Sequence, residues 1–306
     1  MKRKKGKNRV KISFAATILV LSAISVVAYS LSFRVPSYSI PANLPPYGGI
    51  IGRYAPSNSL QVTFANFSAI RGYNASAVPN KQLVNLIKPG VTVHMNAVEA
   101  EILVTVLNSA LRINSTGTAA VLSAGAFSNM SQALSKSGLN PVEEQGFPLY
   151  RVNDSSNGRT KTEWITLNPG GSSVLFAEGN VDARAVVVSM LSVWQGNTPS
   201  ILSLRNMTRM LYPVGGVSHL ALSIQNFTGE VLSGNGGVVT VDVANQEVQF
   251  THVVRFISSG AASSQVGQVQ AVYRYSSEFS QWEEFVKATQ TYSMTNLEGA
   301  VALTGA

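Results

Sequence analysis

The chain has 306 residues, a formal net charge of +8 and no cysteine. The absence of cysteine excludes a disulfide framework, thiolate metal ligands and a cysteine nucleophile. Residues 1–11 hold seven of the 23 basic residues and none of the 15 acidic residues, so the rest of the chain is nearly neutral. The basic character therefore indicates membrane topology rather than a phosphate-binding face, and no nucleic acid is expected as a partner.

The N-terminal segment predicts a membrane anchor. An uncharged, apolar run over residues 12–33 follows the basic tail of residues 1–11. As a helix of about 33 Å, this run is long enough to cross a bilayer core of ~30 Å. Because short basic segments stay in the cytoplasm, we expect a single-pass protein with a cytoplasmic N-terminus and most of the chain outside the cell.

The same segment also fits a cleaved signal peptide. Ala28-Tyr29-Ser30 resembles a small-x-small cleavage site, which would place the mature N-terminus near Leu31. The apolar run continues through Phe33 and is longer than the usual apolar core of a signal peptide. A retained signal anchor is therefore the preferred interpretation.

Seven Asn-x-Ser/Thr triplets follow the anchor and are candidate glycosylation sites. They are centred on Asn66, Asn74, Asn114, Asn129, Asn153, Asn206 and Asn226. A chain rich in Asn and Ser also acquires such triplets by chance, so the prediction depends on the external location. Glycans without cysteines, behind a basic anchor, favour an archaeal cell surface.

After the anchor, residues 34–57 are rich in Pro and Gly and predict an extended stalk, followed by an extracellular domain over residues 58–306. Early in this domain, alternating apolar residues predict strands over 59–64 and 91–95, and residues 80–88 predict a short helix.

Asn96 and Glu99 form a possible capping box, which predicts a helix to about Leu111. The β-branched residues of the same stretch leave a strand open as the alternative.

The middle of the chain alternates strands with helices. The pattern predicts strands over 118–127, 147–152, 163–168, 172–179 and 219–226, and helices over 129–138, 181–196 and 200–210. In the helix over 181–196, we expect Ala185, Val188, Leu191 and Val193 to face the core.

The last third predicts a hairpin of two long strands around residues 244–246, a strand over 269–275 and a capped helix over 280–289, with a small and polar stretch over 260–268. The predicted fold class is α+β: a transmembrane helix, then a mostly antiparallel sheet with helices on one face, in a ferredoxin-like arrangement.

Several motifs resemble those of archaeal membrane-anchored cell-surface proteins that have no assigned activity. The shared plan has a Gly-x-Phe before a short helix that ends in Gly, a strand with Tyr, and a strand that ends in Gly ahead of a long helix. The matching positions are Gly125, Phe127, Gly138, Tyr150, Gly179 and Ala185. The resemblance covers residues 57–260 and implies a fold and a location but no activity.

No motif assigns a catalytic centre, a cofactor or a metal ion. The three histidines, His94, His219 and His252, stand alone in strand-like runs without metal-site spacing. Ser218 and His219 are neighbours on a strand, so their side chains point to opposite faces. A serine hydrolase would need a triad assembled from distant residues, with Asp154, Asp182 and Asp242 available.

Other candidate groups have structural explanations. The paired carboxylates are Glu99/Glu101, Glu143/Glu144 and Glu283/Glu284. The predicted roles are a helix cap for Glu99, a loop position for the second pair and the first turn of a helix for the third pair. Trp164, Trp194 and Trp282 are candidates for a glycan-binding surface, although Trp194 fits a core position equally well.

We therefore expect a membrane-anchored extracytoplasmic protein of structural or interaction type, with the lipid bilayer and envelope proteins or glycans as partners. The alternative is an extracellular ligand-binding or sensory module, and a cryptic hydrolase is third. A deep apolar pocket with a few polar groups would favour the ligand-binding module. A large exposed apolar patch or an open sheet edge would favour the interaction protein.

Peptide mass spectrometry of native membranes tests the predicted topology. We expect an intact peptide across residues 12–33 and glycans on several of the seven sequons. A mature N-terminus near Leu31 would instead show that the segment is a cleaved signal peptide.

Overall fold

A computed structural model of the chain describes residues 48–86, 90–108, 113–154, 161–168, 170, 172–178, 183–211, 220–226 and 229–304. The predicted tail, the predicted anchor and most of the predicted stalk lie outside these residues. No helix in the described ranges is long and apolar enough to cross a membrane.

The described ranges form fourteen strands and seven α-helices. The strands are β1 Ser59–Ala65, β2 Gln82–Leu86, β3 Val91–His94, β4 Val98–Asn108, β5 Ile113–Leu122, β6 Val142–Glu144, β7 Phe147–Asp154, β8 Lys161–Asn168, β9 Ser173–Glu178, β10 Ala221–Asn226, β11 Leu232–Asp242, β12 Glu247–Phe256, β13 Glu278–Trp282 and β14 Phe285–Ser293. The helices are α1 Gly48–Tyr54, α2 Phe67–Tyr73, α3 Ala124–Lys136, α4 Ala183–Trp194, α5 Arg205–Leu211, α6 Ser259–Val272 and α7 Leu297–Ala302.

Twelve of these strands form one antiparallel sheet in the order β13-β14-β12-β11-β10-β1-β4-β5-β9-β8-β7-β6, and β2 pairs with β3 in a separate hairpin. Successive residues of a strand point to opposite sides of the sheet. We call face A the side that carries the buried residues Val62 and Ile102, and face B the side that carries Ala65 and Ala120.

The predicted fold class is wrong because helices cover both faces of the sheet. Buried residues of α1, α4 and α5 pack on face A. Buried residues of α2, α3 and α7 pack on face B, and α6 lies on the same face over the β12–β14–β13 end of the sheet. A sheet of twelve strands with two separate cores is not a ferredoxin-like arrangement of helices on one face.

Helix α1 occupies residues that the sequence assigns to the stalk. Its Ile51 and Tyr54 are completely buried on face A. The Tyr54 hydroxyl donates to Ser173 Oγ at 3.1 Å and accepts from Asn168 Nδ2 at 3.0 Å, which joins α1 to the β8–β9 hairpin. Burial raises the pKa of Tyr54, so the hydroxyl keeps its proton and its donor role.

Four of the predicted elements have the wrong type, and one of them is the predicted strand over 269–275, whose first four residues belong to α6. Residues 80–88 hold β2 rather than a helix, residues 98–108 form β4, and residues 280–289 form the β13–β14 hairpin. In β4 the alternation of buried Ile102, Val104 and Val106 outweighs the possible capping box, because branched side chains pack well on a half-buried pleated surface.

The predicted helix over 181–196 is present as α4, but its buried face differs in part from the prediction. Leu191 and Val193 are buried as expected, whereas Ala185 is exposed and Val188 is half-buried. The core side is formed instead by Ala183, Val187 and Met190, together with Leu191, at helical spacing.

Glycines in β11 allow close packing on both sides of the sheet. A Cβ atom at Gly237 would lie 2.8 Å from Cζ of Phe250 on face B, and one at Gly234 would lie 3.0 Å from Sδ of Met210 on face A. Phe250 is fully buried, and Met210 anchors α5. The glycines therefore make room for a buried ring and for a helix.

Replacement of Gly237 tests this packing. We expect Gly237→Ala to lower the free energy of unfolding by about 1–3 kcal/mol, because the buried Phe250 ring has to move. The matched control is Gly267→Ala on α6, where the new methyl group meets nothing within 4 Å and helix propensity gains up to about 1 kcal/mol. Equal stability of the two variants in urea unfolding would contradict this account.

Candidate functional site

An open pocket of about 470 Å³ lies on face B between α6 and the strands β11 and β12. Six of its lining residues are apolar: Val231, Leu232, Val254, Phe256, Val269 and Val272. Four are polar and uncharged: Asn235, Gln265, Gln268 and Tyr273. Pockets of this size, with apolar walls and a few polar groups, are typical of small-molecule sites.

The floor of the pocket is set by strand register. Leu232 of β11 lies opposite Phe256 of β12, and Asn235 lies opposite Val254. The side chains of residues that lie opposite each other in an antiparallel pair point to the same side of the sheet, so all four side chains project from face B.

Helix α6 forms the wall. Its N-cap is Ser258, whose Oγ accepts from the backbone N–H of Ala261 at 3.1 Å. Ala262, Val266 and Val269 pack toward the sheet at helical spacing. The helix has 14 residues and no charged side chain, and Ala262 is its one fully buried residue.

Exposed apolar side chains lie among and beside the residues that line the pocket, and the guanidinium of Arg274 lies 4.8 Å from the ring centre of Tyr275. Nine large apolar residues of the described chain are exposed, and five of them lie at or beside the pocket: Val231, Leu232, Ile257, Val272 and Tyr275. Val272 and Tyr275 are 72% and 76% exposed. Exposed apolar side chains that cluster in this way mark a contact surface.

His252 lies on the same face, two residues before the pocket residue Val254. Its ring is 4.2 Å from the ring of Phe250 and 4.3 Å from the ring of Tyr273, measured between centroids. Burial lowers the pKa of His252 to about 4 and raises the pKa of Tyr273. Both groups are therefore neutral at physiological pH, and Tyr273 brings no charge to the pocket that it lines.

A group of charged residues lies on the opposite side of the sheet. Arg209 of α5 pairs with Glu283 and Glu284 in the turn between β13 and β14, and its guanidinium lies 5.1 Å from the ring centre of Phe285. Glu283 has a φ of +48°, a conformation that favours glycine, so the turn is strained. These contacts join α5 to the turn, and none of these residues lines the pocket.

The histidines and aspartates singled out from the sequence do not form a catalytic group in the described residues. His94 is exposed at the end of β3, while His219 and Asp182 lie outside the described residues. Asp242 accepts from the backbone N–H groups of Ala244 and Asn245, and a further bond from the Asn245 side chain contributes most to its lowered pKa. In the described residues no group of three or more His, Asp or Glu side chains is placed to hold a metal ion.

The paired carboxylates lie away from the pocket. Glu99 is 3.7 Å from Arg71, and Glu144 pairs with Arg184 of α4. Glu143 is exposed in β6. Burial raises the pKa of Glu101, partly offset by the nearby charge of Lys81.

The three tryptophans pack against the core on face A. Trp164 lies under the guanidinium of Arg184, Trp194 meets Phe147 edge-on at 5.4 Å, and Trp282 stacks on Phe285 at 5.3 Å. None of them lines the pocket on face B, so the pocket gives no support for their predicted glycan-binding role.

The sequon asparagines occupy several kinds of structure. Asn66 caps α2, Asn74 caps the following turn and Asn129 is exposed on α3. The remaining four lie in β5, β7, α5 and β10, respectively: Asn114, Asn153, Asn206 and Asn226. Glycosylation of all seven stays a prediction.

Sequence reasoning missed the pocket because its residues come from separate segments and because no helix was predicted over 259–272, where the sequence indicated only a small polar stretch followed by a strand. One signal was available: residues 257–273 carry no charge and include several valines and a tyrosine. A stretch of this length without charge at a domain surface needs a partner or a ligand to cover its apolar groups.

No protein-family model matches the chain, and no curated protein matches it. Two solved structures of TP0453 are similar to it in outline. Crystal form I has 10% sequence identity to this chain and a TM-score of 0.48, and the match covers 87% of this chain and 100% of the TP0453 chain. Crystal form III has 9% sequence identity and a TM-score of 0.43, and the match covers 83% of this chain and 97% of the TP0453 chain. Neither likeness is strong enough to assign a fold or a function.

The buried state of His252 predicts a pH dependence of stability. The unfolded chain protonates this histidine below its ordinary pKa of 6.5, whereas the folded chain protonates it only near pH 4. The contribution of the neutral His252 to the free energy of unfolding is therefore fully present above pH 6.5. As the pH falls from 6.5 to 4, the free energy of unfolding decreases by up to about 3 kcal/mol, and solvent screening of the ring makes this decrease smaller. Urea unfolding across this range should show a shallower decline for His252→Gln than for the wild type.

The exposed His94 provides the control for that measurement. His94→Gln replaces an exposed side chain, so its pH profile of stability should match that of the wild type. Carboxylates elsewhere in the chain contribute equally to both profiles. Identical profiles for His252→Gln and the wild type would contradict the burial of His252.

Proposed function

We propose that this protein is an extracytoplasmic binding module that takes a small, uncharged and largely apolar ligand in the pocket beside α6. The observation that carries the proposal is the pocket itself, with its six apolar and four neutral polar lining residues. Among these ten lining residues a charged ligand would lose its hydration without gaining an opposite charge, whereas an apolar one would gain from burial.

The exposed rim supports the same function. Val231, Val272 and Tyr275 are costly to leave in water, and a ligand that extends from the pocket would cover part of that surface. The apolar walls supply affinity, and Asn235, Gln265 and Gln268 supply a few hydrogen-bonding groups that orient the ligand.

The proposed location rests on the N-terminal sequence. The basic residues 1–11 and the apolar residues 12–33 would hold the module at the outer face of the membrane. A module tethered there has direct access to amphiphiles that leave the bilayer.

A second candidate function is that of a structural or interaction protein of the cell envelope. The open edge of the sheet at β13 favours it, because an edge strand offers unpaired backbone groups to an extended segment of another protein. The short strand β6 at the other edge, with only three residues, offers much less.

Photolabelling tests the binding function. The full-length protein is extracted with its surrounding lipid in polymer particles and irradiated with a long-chain alcohol that carries a diazirine. We expect adducts on peptides from β11, β12 and α6. Val231→Glu should reduce this labelling about tenfold, because a carboxylate at the rim makes the pocket unfavourable for an apolar chain.

The matched control is Val243→Glu, another exposed valine, in the turn between β11 and β12. It should label like the wild type. Label in residues 12–33 reports the bilayer and should not change in either variant. Label confined to that segment, or equal pocket label in both variants, would contradict the proposal and favour the interaction protein.

A further inference from the structure

A row of neutral polar side chains continues from the pocket across face B. Asn235 of β11 lies opposite Gln225 of β10, Gln225 opposite Gln61 of β1, Gln61 opposite Thr105 of β4, and Thr105 opposite Thr116 of β5. Adjacent strands are ~4.8 Å apart, so the row spans about 19 Å. We call these five residues the neutral strip.

The side chains of the neutral strip are accessible and have hydrogen-bonding capacity to spare. Asn235 and Thr116 are exposed, and the other three are half-buried. Among the described residues, no side-chain hydrogen bond involves any of the five. Each amide offers two N–H donors and a carbonyl acceptor, and each threonine offers a hydroxyl.

The strip itself contains no charged residue. An anionic group on the strip would lose its hydration without meeting a cation among these five side chains, whereas hydroxyl groups would meet matching donors and acceptors.

The neutral strip and the pocket share Asn235, so one ligand can occupy both. We propose, on the basis of the proposed function, that the ligand is an amphiphile whose apolar chain lies in the pocket and whose uncharged, hydroxyl-rich glycosyl head group lies on the neutral strip. A head group of two or three sugar units fits the length of the strip. The many hydroxyls of such a head group match the free amides of Gln61 and Gln225.

Competition against the diazirine probe tests the head group. The competitors share a twelve-carbon chain and are used below micelle-forming concentrations: dodecanol, dodecyl β-maltoside and dodecyl phosphate. We expect the maltoside to displace the probe from the pocket of the wild-type protein at a concentration about tenfold lower than dodecanol, since several neutral hydrogen bonds add up to this factor.

Variants show whether the neutral strip causes this advantage. The double variant Gln61→Leu with Gln225→Leu should reduce it to about threefold or less and leave displacement by dodecanol unchanged, which also shows that the pocket is intact. The matched control is Gln249→Leu, a half-buried glutamine of β12 on face A, and it should keep the full advantage.

Two results would overturn the head-group proposal while the binding function stands. One is an equal maltoside advantage in all variants, and the other is stronger displacement by dodecyl phosphate than by the maltoside. A pocket that no probe labels would instead overturn the binding function, so the two failures are distinguishable.

Discussion

The structure depends on how two faces of one twelve-stranded sheet are kept from water. A sheet of this size is about 50 Å wide, whereas its longest described helices, α3 and α6, have 13 and 14 residues and are therefore about 20 Å long. These helices cannot cover every strand. The sheet carries apolar residues where helices pack on it. It carries neutral polar residues, such as those of the neutral strip, where the described helices do not reach.

Packing at the centre of the sheet follows from the same constraint. Each face has its own core, and β11 lies between them with glycines where α5 and Phe250 approach most closely. The ion pairs that involve Arg184, Arg209 and Lys287 belong to face A, whereas the ten residues that line the pocket on face B are uncharged. Face B carries charge elsewhere, where Arg71 of α2 pairs with Glu99.

Local patterns in the sequence identified much of this fold but not its arrangement. The helix α4 and the strands β7–β9 have clear periodicity and strong turns at their ends, so their types were predictable. The hairpin of β13 and β14 was not, because Ser280 followed by Glu283 imitates a helix start, while the strand type is decided by pairing of β14 with the distant β12. The candidate site depends on register: that Asn235 faces both Val254 and Gln225 requires knowledge of three paired strands.

Helix α6 is attached to the sheet more weakly than the other long helices. Ala262 alone is fully buried among its 14 residues, whereas α4 buries seven of its 12. An element with so little buried area separates from the rest at a lower free energy than global unfolding requires. The wall of the pocket is therefore the part of the domain whose local stability depends most on what fills the space beneath it. A bound chain would contribute there the apolar contacts that the protein itself lacks.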